Sequence, residues 1–167
     1  MLHNNRQRHE LAFDWPLTPF GIVLVEPVIP PNTGNIARLC AATGTTLHLI
    51  EPLGFNISEK EVRRAGLDYW DEVDLSIYKD FDTYIDATPN TSRYFFTTSA
   101  KQDHADISYP SGSHLIFGSE THGLSDEILQ RFPDQSLNIP IQLSLVRSLN
   151  LANAASIALY TALRNRI

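Results

Sequence analysis

Three polar stretches of the 167-residue chain hold the side chains able to do chemistry, and each follows a short apolar run. The first, Pro30 to Arg38, reads PPNTGNIAR. Asn32, Thr33 and Asn35 surround a glycine at an expected helix start, where free backbone N–H groups favour an anion. Arg38 follows about one helical turn later. The competing reading is an ordinary Asn/Thr cap with a surface arginine. The second, Phe117 to Gly123, reads FGSETHG. Gly118 permits close backbone approach, and Glu120 offers a carboxylate where open α/β sheets bind ligands. A plain turn with a solvated Glu is the alternative, and His122 reads as a surface histidine. The third, Ile139 to Asn153, places Arg147, Ser148, Asn150 and Asn153 at the head of an otherwise apolar helix. Ser148 as N-cap explains one of them. Asn150 and Asn153, poor helix formers inside a first turn, are left over and mark a site.

Those stretches need a scaffold, and the apolar pattern supplies one. Strand-like runs fall at Phe20 to Val25, Leu47 to Ile50, Val73 to Tyr78, Tyr94 to Thr98, Leu115 to Phe117 and Leu137 to Ile139. Helical patterns fall at Thr33 to Thr43, closed by Gly44, and at Asp80 to Ala87, Ser125 to Arg131 and Leu149 to Arg166. Ser58 and Glu61 fit a capping box that opens a further short helix to about Ala65. Strands alternating with helices predict an α/β fold with a mostly parallel sheet, and the unbroken apolar strands agree because such strands are covered on both faces. The last helix carries apolar residues around most of its circumference, so either it is central to the subunit or a second face meets another subunit; its small Ala and Ser residues favour the second.

Composition narrows the field. A content of 43% apolar residues supports one substantial core in a chain of this length. Residues 1–19 form a polar extension, expected to be disordered, ahead of a single domain at 20–167. That extension lacks the apolar run of a secretory signal, and the longest apolar stretch, Ile22 to Val25, is far below the roughly 20 residues of a membrane span. A cytoplasmic protein is expected. The single cysteine, Cys40, sits in an apolar helical pattern and reads as a buried small side chain. The net charge of −6 argues against nucleic-acid binding by bulk electrostatics, so an RNA partner must meet a local basic patch. Metal-spaced Cys/His sets, a G-x-S-x-G elbow and a complete P-loop are all absent, so no metal is expected.

Taken together, in this order and at these spacings, the three stretches resemble the SpoU branch of the SPOUT RNA methyltransferases. The likeness runs from about Ile22 to Ala162 and takes in the RRAGLDYW segment at Arg63 to Trp70, FGSETHG, and the closing NIP and RSLNLANA motifs. Within that branch it is nearest to the small single-domain members that methylate the wobble ribose of tRNA, at cytidine or modified uridine 34. The resemblance implies a C-terminal deep trefoil knot, a feature that breaks the usual connection rules and that no periodicity announces. It implies S-adenosyl-L-methionine as methyl donor, leaving S-adenosyl-L-homocysteine, bound in the knot around Thr97, Gly118, Ile139, Ser148, Leu149 and Asn153. It also implies a homodimer through the knot region and the C-terminal helix.

By the same resemblance, Arg38 stands nearest the reacting hydroxyl, with Asn35, Glu120, Ser148 and Asn150 completing the pocket. A guanidinium is a poor proton acceptor. Arg38 is therefore expected to hold the target phosphate and stabilise developing alkoxide charge, with positioning and electrostatics carrying the catalysis. Arg38, Arg63, Arg64 and Arg147 are candidates for the local basic patch on the anticodon stem-loop, and Tyr160 for stacking on an unpaired base. Two other readings stand beside this one: the same chemistry on another tRNA position or on ribosomal RNA, and a catalytically silent knotted dimer that only binds RNA.

Overall fold

The structure is a computed structural model and describes residues 7–58 and 69–167. Six strands form one sheet: β1 (Gly21–Val25), β2 (Thr46–Ile50), β3 (Leu75–Tyr78), β4 (Arg93–Phe96), β5 (His114–Phe117) and β6 (Ser136–Leu137), in the spatial order β3-β2-β1-β5-β4-β6. Every pairing between them is parallel. All six lie within a residue or two of the runs read from the sequence. Glu61 of the expected capping box, with the helix it would open, falls outside the described residues.

Among the described residues four α-helices cover the sheet: α1 (Pro30–Thr43), α2 (Phe81–Ala87), α3 (Asp126–Arg131) and α4 (Leu151–Arg164). Helix α1 starts three residues before the expected position because Pro30 and Pro31 occupy its first two positions, where a missing N–H loses nothing and the fixed φ suits a helix. Its other end is closed as expected by Gly44, at φ 67°, whose N–H donates to the Cys40 carbonyl. Asp80 and Ser125 cap α2 and α3 through their side chains.

Strand alternation divides the core in two. Ile22 and Leu24 of β1 point to the face covered by α1 and α4, with Ile36, Ala37, Cys40, Ala155 and Leu159. Val23 and Val25 point to the face covered by α2 and α3, with Phe81, Tyr84 and Ile128. Each fully buried Leu or Ile contributes about 1.5–3 kcal/mol, and this two-sided burial is why β1, β2 and β5 read as continuous apolar runs. Cys40 is buried as expected, and burial pushes its thiol pKa up to about 12.

Helix α4 uses its apolar residues more economically than the sequence implied. Leu151, Ala152, Ala155, Ala158, Leu159, Ala162 and Leu163 are all buried within the subunit. The outward stripe keeps only Ile157 and Tyr160 as large apolar groups, between the exposed Asn153 and Arg164. Ahead of Phe20, the Phe13 ring packs on the core, with the guanidinium groups of Arg164 and Arg166 at 4.9 and 5.6 Å from its centroid.

Candidate active site

The carboxyl ends of β4, β5 and β6 and the turn after β1 open onto a cavity of about 590 Å3. This is the edge at which parallel α/β sheets hold their ligands. The lining draws on all three polar stretches: Asn32 from the first, Gly118 and Glu120 from the second, and Ile139, Arg147, Ser148, Leu149 and Asn150 from the third, with Thr97 beside them.

Hydrogen bonds lock the three stretches to one another. Glu120 Oε2 accepts from the Val28 N–H at 2.8 Å, and its Oε1 accepts from the Ile29 N–H at 3.1 Å and from Asn32 Nδ2 at 3.2 Å. Asn150 Nδ2 in turn donates to Asn32 Oδ1 at 2.9 Å. The anion expected at the start of the first helix is therefore an internal one. The Glu120 carboxylate, 88 residues or more along the chain, holds the backbone just ahead of α1, and Ile29 at the N-cap position makes no side-chain cap of its own.

One sequence reading is corrected here. Ser148 is not the cap of the last helix: Asn150 is, with its Oδ1 accepting from the N–H groups of Ala152 at 2.9 Å and Asn153 at 3.2 Å. The helix begins two residues later than expected, so Asn150 is no longer a misfit in a first turn, and Ser148 is left exposed at the cavity. Asn35 stands apart from this cavity. It is exposed on α1 and absent from the cavity lining, whereas Asn32 is buried at 6% exposure and joins Glu120 to Asn150. The early helix start decides this, because a side chain in the first turn leans back toward the N-terminus and reaches the Glu120 turn.

Arg38 and Asn153 also stand outside the lining of the cavity. Arg38 is exposed on α1, three residues after Asn35, with its guanidinium 5.1 Å from the centroid of the Tyr69 ring. Tyr160 lies on the outward stripe of α4, 46% exposed. Arg63 and Arg64 fall outside the described residues. Of the expected RNA contacts, Arg147 alone among the described residues is at the cavity. His122, exposed as expected, lies on its rim.

The lining suits a ligand with a flat apolar part and a polar tail. Phe96, Phe117, Ile139 and Leu151 provide apolar surface, and Thr97, Ser148 and the backbone of the turns provide polar groups. At Gly118 a Cβ would stand 2.0 Å from the carbonyl carbon of Gly123, so the turn closes this tightly only with glycine there. Among the described residues no group of His, Cys, Asp or Glu could hold a metal ion.

Comparison with known proteins agrees with this geometry. Residues 19–160 match the SpoU rRNA Methylase family. A tRNA (cytidine(34)-2'-O)-methyltransferase of Burkholderia cenocepacia is 47% identical over 148 residues, which span 87% of this chain and 94% of that one. A structure described as giving structural insights into the 2-OH methylation of C/U34 on tRNA superposes with a TM-score of 0.82 at 41% identity, covering 89% of this chain and 96% of the other. The SpoU methyltransferase AviRb of Streptomyces viridochromogenes, solved with AdoMet, superposes with a TM-score of 0.72 at 25% identity, covering 88% of this chain and 57% of that one. With its sheet, its three joined turns and these matches in agreement, the chain belongs to the SpoU methylase family.

Proposed function

We propose that this chain is a tRNA methyltransferase that moves a methyl group from S-adenosyl-L-methionine to the ribose 2′-hydroxyl of nucleotide 34. The observation that carries the reading is the cavity at which three distant turns meet, with Thr97, Gly118, Arg147, Ser148 and Leu149 in its lining. The identity to a named tRNA (cytidine(34)-2'-O)-methyltransferase supports the same substrate. When bound, the sulfonium donor supplies its own electrophile, so the protein has only to place the hydroxyl, hold charge and exclude water. Thr97, Gly118, Ile139, Ser148 and Leu149 hold the donor. Asn32, Glu120 and Asn150 keep the turns in place.

Arg38 is assigned to the RNA side. Its stacking on Tyr69 presents a fixed positive group on the exposed face of α1, where it holds a phosphate of the target and steadies charge on the attacking oxygen. Arg147 extends the basic surface at the cavity mouth. The C-terminal segment threads the sheet connections as a trefoil knot, and two copies pair through this region. Ile157 and Tyr160 on α4, with the exposed Leu143, Leu145 and Val146 ahead of it, give that contact its apolar surface. No described helix is long and apolar enough to cross a membrane, and a tRNA substrate puts the protein in the cytoplasm.

The decisive assay combines purified protein, labelled S-adenosylmethionine and total tRNA, followed by mapping of the labelled nucleotide. Label on the ribose of nucleotide 34 is expected. Label confined to ribosomal RNA or to another tRNA position discards the substrate, and cofactor binding with no transfer to any RNA points to a silent binder. Arg38→Ala is expected to lower transfer by at least about a hundredfold while leaving cofactor affinity within twofold of the unaltered protein. An unchanged rate removes Arg38 from the mechanism.

A further inference from the structure

Across the turn from Ser119 to Gly123 lies a second cavity, of about 400 Å3, which shares Ser119, Thr121, His122 and Gly123 with the larger one. Its apolar wall is formed by Val25, Val28, Pro52 and Leu53, and Glu26 is its acidic group. Glu26 has φ 53°, the only left-handed backbone conformation at a non-glycine position among the described residues. Such a conformation is held in place only where surrounding structure enforces it, and it gathers at ligand sites. Here the Glu26 N–H donates to the Ile50 carbonyl at 2.9 Å, which anchors the backbone at the very end of β1. Among the described residues its carboxylate makes no hydrogen bond or ion pair.

We propose that this second cavity receives the pyrimidine base of the acceptor nucleotide, and that Glu26 reads its exocyclic amine, so that cytidine is preferred to uridine. The inference rests on the methyl-transfer reading above. In a nucleotide the base is carried by the ribose carbon next to the one bearing the 2′-oxygen. A ribose presenting that oxygen to the larger cavity must therefore lodge its base in an adjoining space, and the second cavity adjoins it across a single turn. A base has apolar faces and a polar edge. Pro52, Leu53 and the two valines suit the faces, as the Glu26 carboxylate suits the edge.

The choice of base follows from the chemistry of the carboxylate. Ionised Glu only accepts hydrogen bonds. The cytosine N4 amine donates to it, whereas uracil turns its O4, another acceptor, toward the same place. A site made to pair with a donor rejects the analogue that lacks one, because the polar group is then left without a partner. Nucleotide 34 lies in an unpaired loop, so its base is available to be splayed out.

The test compares the unaltered protein with Glu26→Gln on bulk tRNA purified from cells deleted for this chain. Initial rates of 2′-O-methylcytidine and 2′-O-methyluridine formation at nucleotide 34 are read by mass spectrometry, and cofactor affinity by calorimetry. Gln is isosteric with Glu and offers both a donor and an acceptor, so it meets either base. The ratio of cytidine to uridine methylation is expected to fall by roughly tenfold, the scale of one good base-edge contact, with cofactor affinity unchanged. An unchanged ratio in an active variant overturns the assignment. So does a loss of cofactor affinity, which would give the cavity to the donor. If the unaltered protein modifies no nucleotide 34 at all, the parent reading fails first and the base site goes with it.

Discussion

Glu120 shows how one side chain can be both architecture and site. Its two oxygens accept three hydrogen bonds, two from the backbone at the head of α1 and one from Asn32, and that asparagine passes the link to Asn150. Glu120→Gln puts an amide donor against at least one existing donor. The expected loss is about 1–2 kcal/mol of stability, read as a shift in urea midpoint, together with a larger fall in methyl transfer as Asn32 and Asn150 lose their setting. A midpoint identical to that of the unaltered protein would show that the clasp does not bear on folding. The side chains of this clasp were legible only in part. Their residue types stood out in the three polar stretches, but Asn32 read as an ordinary helix cap rather than as the link between Glu120 and Asn150. The difference lies in where α1 begins, which Pro30 and Pro31 decide. The cap at Asn150 was hidden in the same way, because Ser148 is an equally good capping residue two positions earlier.

At the scale of elements, β2 and β5 carry a second polar feature at the end of the sheet away from the cavity. His48 and His114 lie with ring centroids 4.5 Å apart, bonded to Tyr78 at 3.1 Å and to Tyr84 at 2.8 Å respectively, and His48 also meets Thr46 at 2.9 Å. Gly21 makes the room: a Cβ there would sit 2.6 Å from His114 Cδ2. Burial, which outweighs the attraction of Asp74, lowers the His48 pKa to about 4. Burial, the neighbouring His48 and Arg93 lower that of His114 to about 3. Both folded-state values lie below the ordinary 6.5, so the unfolded chain binds protons that the folded chain refuses. The stability from the neutral pair is complete above pH 6.5 and declines as pH falls from there toward 4 and 3. The slope is at most about 1.4 kcal/mol per pH unit for each imidazole. Denaturation at pH 7.5 and at pH 5 should expose this loss, and His48→Gln should flatten it. An equally steep fall in the variant would place the acid sensitivity elsewhere. No sequence pattern pointed to this pair, since His in a strand shows nothing of its partner thirty or more residues away.

For the whole molecule, alternation of strands and helices was enough to read the parallel α/β architecture, and six strands fall close to where the apolar runs lie. The order in which they pair was not legible, because β5 enters beside β1 and β4 beside β6 through packing that periodicity does not encode. The proposed pairing of two copies belongs to the same scale. Ile157→Asp, on the exposed stripe of α4, is expected to convert a dimer to single subunits in light scattering while leaving the helical signal intact. A dimer of undiminished strength would move the contact away from this stripe. The bond network around Glu120 has one further effect, on how active and inactive descendants of such a chain are told apart. A lineage that abandoned methylation but kept its shape would still be selected to retain Glu120, Asn32 and Asn150, since folding employs them. Their survival in a genome is therefore poor testimony to turnover. Under the proposed mechanism, Arg38 and Ser148, exposed and with no part in that network, are the letters whose loss would betray a retired enzyme.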